Sequence, residues 1–127
     1  MGCSIESLIY YKMNIKIEIS FSDVPVSKFC YDIDGKKIEI YFPGYHDVQS
    51  GDYVEQNCRF VISNWEDARS KVYNDDIFFN LDKHIGIFSL LLHVVHSNDI
   101  LEITVNTVDD RYIVLRFVAP EVTCEAI

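Results

Sequence analysis

Through most of this chain apolar side chains recur at every second position, and that period limits what it can fold into more than any other feature. Ile15, Ile17 and Ile19 alternate with Lys16 and Glu18. Phe29, Tyr31 and Ile33 alternate with Lys28, Cys30 and Asp32, and Ile38, Ile40 and Phe42 with Lys37, Glu39 and Tyr41. Cys58, Phe60 and Ile62 share a face, as do Leu101, Ile103 and Val105, and again Ile113, Leu115 and Phe117. A period of two puts one face into a core and the other into water, so each run reads as a half-buried strand. Asp34-Gly35 predicts a type I′ hairpin turn, and Asp109-Asp110 a second hairpin near the end of the chain. Pro25, Pro43-Gly44 and Ala119-Pro120 punctuate the strands. The expected fold is α+β but mainly β: an antiparallel twisted sheet of about six to seven strands, half-barrel or sandwich-like, with one or two short helices.

Several stretches do not follow the alternation. Residues 44–57 read as a loop with two glycines, three acids and no Lys or Arg. Ser63-Asn64-Trp65-Glu66 fits a capping box, which favours a short helix over 65–73, the other reading being a strand continued to Trp65 and then loop. Asn74-Asp75-Asp76 is a turn, and 77–82 a short extended piece. Residues 85–96 are apolar on all sides, which periodicity alone cannot divide between helix and strand. The β-branched pair Val94-Val95 and the turn Ser97-Asn98-Asp99 favour a strand ending at His96.

The 127 residues suit one domain with a substantial core. Residues 14–127 form the expected globular domain, and 1–13 an N-terminal extension that adds little, with Met13 as an alternative start. Glu6 stands where an N-myristoylation motif requires Ser or Thr, so no lipid anchor is expected. Nor do the first residues have the basic start and apolar run of a signal peptide. Cys3, Cys30, Cys58 and Cys124 are widely and irregularly spaced, which reads as reduced, mostly buried thiols in a cytoplasmic protein. The apolar stretch 85–95 falls well short of the roughly 20 residues needed to span a bilayer.

The formal net charge is −9 and apolar residues make up 49%. The apolar fraction excludes intrinsic disorder, and the charge excludes nucleic-acid binding by phosphate neutralisation. Residues 1–43 carry a net of only −1, residues 44–127 the remaining −8. The later acids lie mostly in turns and loops, interleaved with aromatics, a pattern that steers and anchors a basic protein partner. The candidate binding residues are therefore Tyr45, Asp47, Asp52, Tyr53 and Glu55; Trp65, Glu66 and Asp67; Asp75 and Asp76; and Asp109 and Asp110. The plainer reading of the same residues is a solvated surface that aids solubility.

No motif points to catalysis, and no catalytic residue, metal or cofactor is assigned. His93 and His96 are three apart without an H-E-x-x-H frame, His46-Asp47 has no nucleophile, and nothing selects two of the 20 acids as a carboxylate pair. A second class of function, a small-molecule-binding half-barrel with residues 85–95 walling an apolar pocket, is the alternative.

The Asp-Gly hairpin is followed by G-Y-H-D (44–47), C-R-F-V-I-S-N-W (58–65), L-D-K-H-I-G-I-F-S (81–89) and D-D-R-Y (109–112). In these features the chain, over 14–118, resembles the immunity proteins of bacterial polymorphic toxin systems, including the immunity partners of contact-dependent growth inhibition toxins. The resemblance implies a cytoplasmic, non-enzymatic toxin inhibitor. Its partner would be the cognate toxin C-terminal domain, often a basic nuclease, with acids standing in for substrate phosphates. It carries no shared binding motif, so the candidate residues rest on charge and aromatic placement alone.

Overall fold

The computed structural model describes residues 8–12 and 15–127, with side chains from Glu18 onward. The expectations about lipidation and an alternative start at Met13 lie outside the described residues. Thirteen strands and one helix are present among those described, in three antiparallel sheets, none closed into a barrel. The class is the expected one, mainly β with a short helix.

The first sheet pairs β1 (Leu8–Lys12) with β2 (Ile15–Ser20), then β5 (Tyr45–Asp47) and β6 (Tyr53–Val54). Residues 8–12, expected to add little, are thus a strand paired with β2 along its length. The stretch 44–57, expected to be a loop, contains the β5–β6 ribbon. The Asp47 carboxylate closes its turn by accepting the backbone N–H groups of Gln49 (3.0 Å) and Ser50 (3.4 Å).

The second sheet runs β13 (Glu121–Ala126), β7 (Cys58–Ser63), β4 (Lys37–Phe42), β3 (Lys28–Asp32). The expected β3–β4 hairpin is present, but its turn differs. Residues 33–36 make the connection, and the positive φ falls on Lys36 (49°) rather than at the Asp34-Gly35 pair. Gly35 lies against the Asp32 side chain. Its N–H donates to Asp32 Oδ1 (3.0 Å), and a Cβ there would lie 2.4 Å from the same carboxylate.

The third sheet has the order β10 (Phe88–Ser97), β11 (Ile100–Thr107), β12 (Tyr112–Val118), β8 (Asp67–Val72), β9 (Phe79–Asn80), followed by the one-turn helix α1 (Leu81–His84). The type I′ turn is here: Asn98 (φ 52°) and Asp99 (φ 62°) join β10 to β11, with Ser97 paired to Ile100. Residues 85–96 resolve as strand from Phe88, with register shifts that leave Ser89 and Leu92 as extra residues.

The short helix expected over 65–73 is absent; those residues are a corner followed by β8. Ser63 would be the cap and Asn64 the first helical residue, which needs a right-handed helical backbone, whereas Asn64 is left-handed at φ 52°. Beyond it the chain alternates, Asp67, Arg69 and Lys71 facing outward and Ser70 fully buried, and β12 takes up its backbone groups. Ser63 pairs with Glu121 in the second sheet and Asp67 with Val118 in the third. The strand pairs β7–β8 and β12–β13 therefore form one antiparallel ribbon that bends at a shared corner and serves both sheets. The bend is held by Glu66 N–H donating to the Val118 carbonyl (2.9 Å), and Ala119 is left-handed there too (φ 51°).

The inner faces of the sheets meet in one core. Phe21 stacks on Phe42 (centroids 3.8 Å apart), while Phe29 packs at a tilt against Phe88 (4.2 Å) and Trp65 against Phe117 (5.0 Å), each contact joining different parts of the chain. No helix is long and apolar enough to cross a membrane, among the described residues.

A candidate protein-docking surface

The register of β8 on β12 decides which acidic turns meet. Val72 pairs with Ile113, so Tyr73 comes to lie beside Tyr112, its N–H donating to the Tyr112 carbonyl (2.9 Å). The turns just beyond, 74–76 and 108–110, consequently emerge from the same end of the five-stranded sheet. This brings together Asp75, Asp76, Asp109 and Asp110, all exposed. Tyr73 and Tyr112 stand between them at 54% and 51% exposure, and Ile77, Ile87 and Val108 are also exposed at that end. On the outer face, Tyr73 and Tyr112 line an open groove of 410 Å³ with Leu92, His93 and Thr104.

The acids here are not equivalent. Asp109 accepts from the Thr107 hydroxyl (2.5 Å) and from Arg111 Nε (2.8 Å), and these bonds, the Thr107 one foremost, hold its carboxyl below the usual range. Arg111 also donates to the His84 carbonyl (3.0 Å), and its guanidinium passes so close to Gly86 that a Cβ there would lie 2.5 Å away. Asp110 accepts from the Asn106 amide (3.2 Å). The Asp75 carboxylate accepts the Asp76 N–H (3.1 Å), while Asp76 offers its own carboxylate to solvent. Nearby cations are already engaged: Lys71 and Arg116 sit over the Phe78 ring at 5.3 and 4.1 Å.

The other candidate residues lie elsewhere. Glu66 and Asp67 are at the opposite end of β8, where Asp67 pairs with Arg69 (3.1 Å). They border a 230 Å³ groove with Tyr31 and Asp82. Tyr31 donates to Asp82 there (2.6 Å), and burial first, then that bond, raises its phenol. Asp52, Tyr53 and Glu55 are exposed on the first sheet's ribbon, Tyr53 edge-on to His46 at 5.3 Å. Two of the expected surface anchors are core residues instead. Trp65 is 6% exposed and packs on Phe117; Tyr45 is 2% exposed. Both sit where a strand turns inward, and a large ring at such a corner is drawn into the core by its apolar area.

Sequence reading missed Leu92, Thr104 and the pairing of Tyr73 with Tyr112. Thr104 and Tyr112 are visible afterwards as the outward positions of alternating strands. Leu92 is exposed only because it is the extra residue of a bulge, which leaves no sequence signal.

The outer face of the second sheet has a different character. Lys37 and Arg59 both pair with Glu39 (3.5 and 3.4 Å), Arg59 also with Glu125, and Tyr41 donates to Glu39 (2.6 Å) beneath Lys28. That face neutralises itself. The apolar segment 85–95, expected to wall a ligand pocket, sends Phe88, Leu91 and Val94 into the core. One space beside it, lined by Phe21 and Leu91 among others, measures 130 Å³, while its Leu92 and His93 line the open 410 Å³ groove.

Comparison with protein-family models, with curated proteins and with solved structures finds no match to this chain.

Proposed function

We propose that this chain is a non-enzymatic binding protein, an immunity protein of the kind its motifs resemble. It neutralises a basic toxin domain in the cytoplasm by docking the acidic, tyrosine-bearing end of its five-stranded sheet. The observation that carries this reading is the convergence of two acidic turns on two half-exposed tyrosines. Exposed acids speed the encounter with a basic protein. Tyrosines with a buried edge and a free face are the side chains that most often anchor such contacts.

Co-expression with the toxin domain encoded beside this gene tests the reading. Protection of the cell and co-purification of the two chains are expected, with protection lost on reversing Asp76 and Asp110 to Lys. Killing that proceeds unchanged in the presence of the wild-type chain would refute it.

A further inference from the structure

Tyr73 and Tyr112 line one side of the 410 Å³ groove on the outer face of the five-stranded sheet, and Leu92, His93 and Thr104 complete it. Elsewhere on this sheet and its flanks the chain's own cations lie over aromatic rings that are not fully buried: Arg116 and Lys71 over Phe78, Lys83 over Phe79. Among the described residues no cation of the chain is placed over Tyr73 or Tyr112. Asp76 and Asp110 belong to solvent-exposed turns at the end of the sheet where Tyr73 and Tyr112 meet. Arg111, the nearest cation in the hairpin, is turned away to Asp109 and the His84 carbonyl.

We infer that this groove is a receptacle for an arginine or lysine side chain of a protein partner, seated against the two tyrosines, with the acidic turns that carry Asp76 and Asp110 at the same end of the sheet. A tyrosine face attracts a cation through its quadrupole, and the carboxylates of the neighbouring turns add long-range attraction. The apolar wall formed by Leu92 suits the methylene stem that such side chains bury while their charged heads stay wet. Charge complementarity selects the occupant: an acidic peptide would be repelled by the four aspartates, and an apolar one would gain nothing from them. This inference rests on the docking reading above and adds to it a specific recognition element.

The test is a titration of the isotopically labelled full chain with a peptide of alternating arginine and glycine, followed by amide NMR shifts. A peptide with citrulline in place of arginine keeps the shape and removes the charge. Saturable shifts centred on Tyr73, Tyr112 and Thr104, absent with the citrulline peptide, are expected. Y73L and Y112L should each weaken binding about two- to fivefold, while the D52K/E55K double variant leaves it nearly unchanged. T104R, which places a cation of the chain's own in the groove, should abolish the shifts, and its remaining spectrum reports that the fold is intact. Shifts spread evenly over all acidic loops, or binding indifferent to both tyrosines, would overturn the inference. Should the peptide bind as described while co-expression gives no protection, the toxin-neutralising reading fails and the receptacle stands. Should protection hold equally in Y73L, Y112L and T104R, the receptacle fails and the broader reading stands.

Discussion

Ser70 on β8 and Leu81 on α1 are joined by a hydrogen bond of 2.9 Å from a hydroxyl with no solvent exposure, the Asn80 carbonyl lying 3.0 Å from the same oxygen. The Ser70 oxygen in turn accepts the His84 N–H (3.3 Å). One small side chain thus serves both ends of a helix too short to hold itself. Replacing Ser70 with Ala would remove the partner of the His84 N–H and leave the Leu81 carbonyl with only the Ile85 N–H, at a cost of about 1–3 kcal/mol. Urea unfolding of Ser70→Ala should show that loss, with faster hydrogen exchange at the His84 amide. Unchanged exchange there would mean that α1 is held by other contacts.

Gly86 and Arg111 form a second coupled pair. A methyl group at 86 would press on the guanidinium that links the 108–111 turn to the His84 carbonyl. Gly86→Ala should destabilise the chain by about 1 kcal/mol, the worth of a displaced charge-assisted bond. In an Arg111→Ala background the same substitution should cost much less, a non-additivity that a double-mutant cycle measures. Additive effects would show that the two residues act independently.

Ala119 adopts φ 51° at the corner and precedes Pro120, two conditions that disfavour a residue with a Cβ. Ala119→Gly removes that strain but loosens the unfolded chain, leaving a net gain of about 0.5–1 kcal/mol. Ala119→Val, with a β-branched residue in the same conformation, should be destabilising. The midpoints of denaturant unfolding check both signs.

Acid should weaken the fold through Asp109 and Glu39. Both carboxyls are held below their usual range, Asp109 by the Thr107 hydroxyl and then Arg111, Glu39 first by the Tyr41 hydroxyl. A carboxyl whose folded pKa is depressed contributes fully above its unfolded value, near 4, and loses that contribution as the pH falls through the folded value. The melting temperature should therefore drop below about pH 4. It should drop less steeply in Asp109→Asn and in Glu39→Gln, each of which is less stable than wild type at neutral pH.

Burial pushes the Cys58 thiol up to about 11 and raises Cys124 as well. Because the thiolate is the reactive form, neither should react with iodoacetamide at pH 7.5 in the native state. Both should react once guanidinium unfolds the chain, as mass spectrometry of the labelled peptides would record. Modification of Cys58 in the folded protein would contradict its burial.

The alternating strands were legible from residues alone because a period of two has one physical meaning: Ile38, Ile40 and Phe42 inward, Lys37, Glu39 and Tyr41 outward. What escaped was wherever the chain leaves a single sheet. Asn64-Trp65-Glu66 carries the residues of a helix start, yet its left-handed backbone turns a strand from one sheet into another. The demand for backbone partners from β12, not local preference, decided that segment. The candidate site was half legible. Its acids and their clustering in turns could be read directly. Which turns meet depends on the pairing of Val72 with Ile113, a contact between distant parts of the chain that no local pattern encodes.

The bent ribbon bears on the order of events when the chain is made. β8 takes its longest pairing from β12, and β7 its second neighbour from β13, so a large loop must close, at an entropic cost, before the third sheet gains its central contact and the second its last strand. Synthesis delivers β3, β4 and β7 long before those partners leave the ribosome. Through that interval the inner face of the second sheet is without the third sheet that covers it, a window in which the nascent chain is open to aggregation or to a chaperone. The protein should thus fold late and all at once, when its final strands emerge.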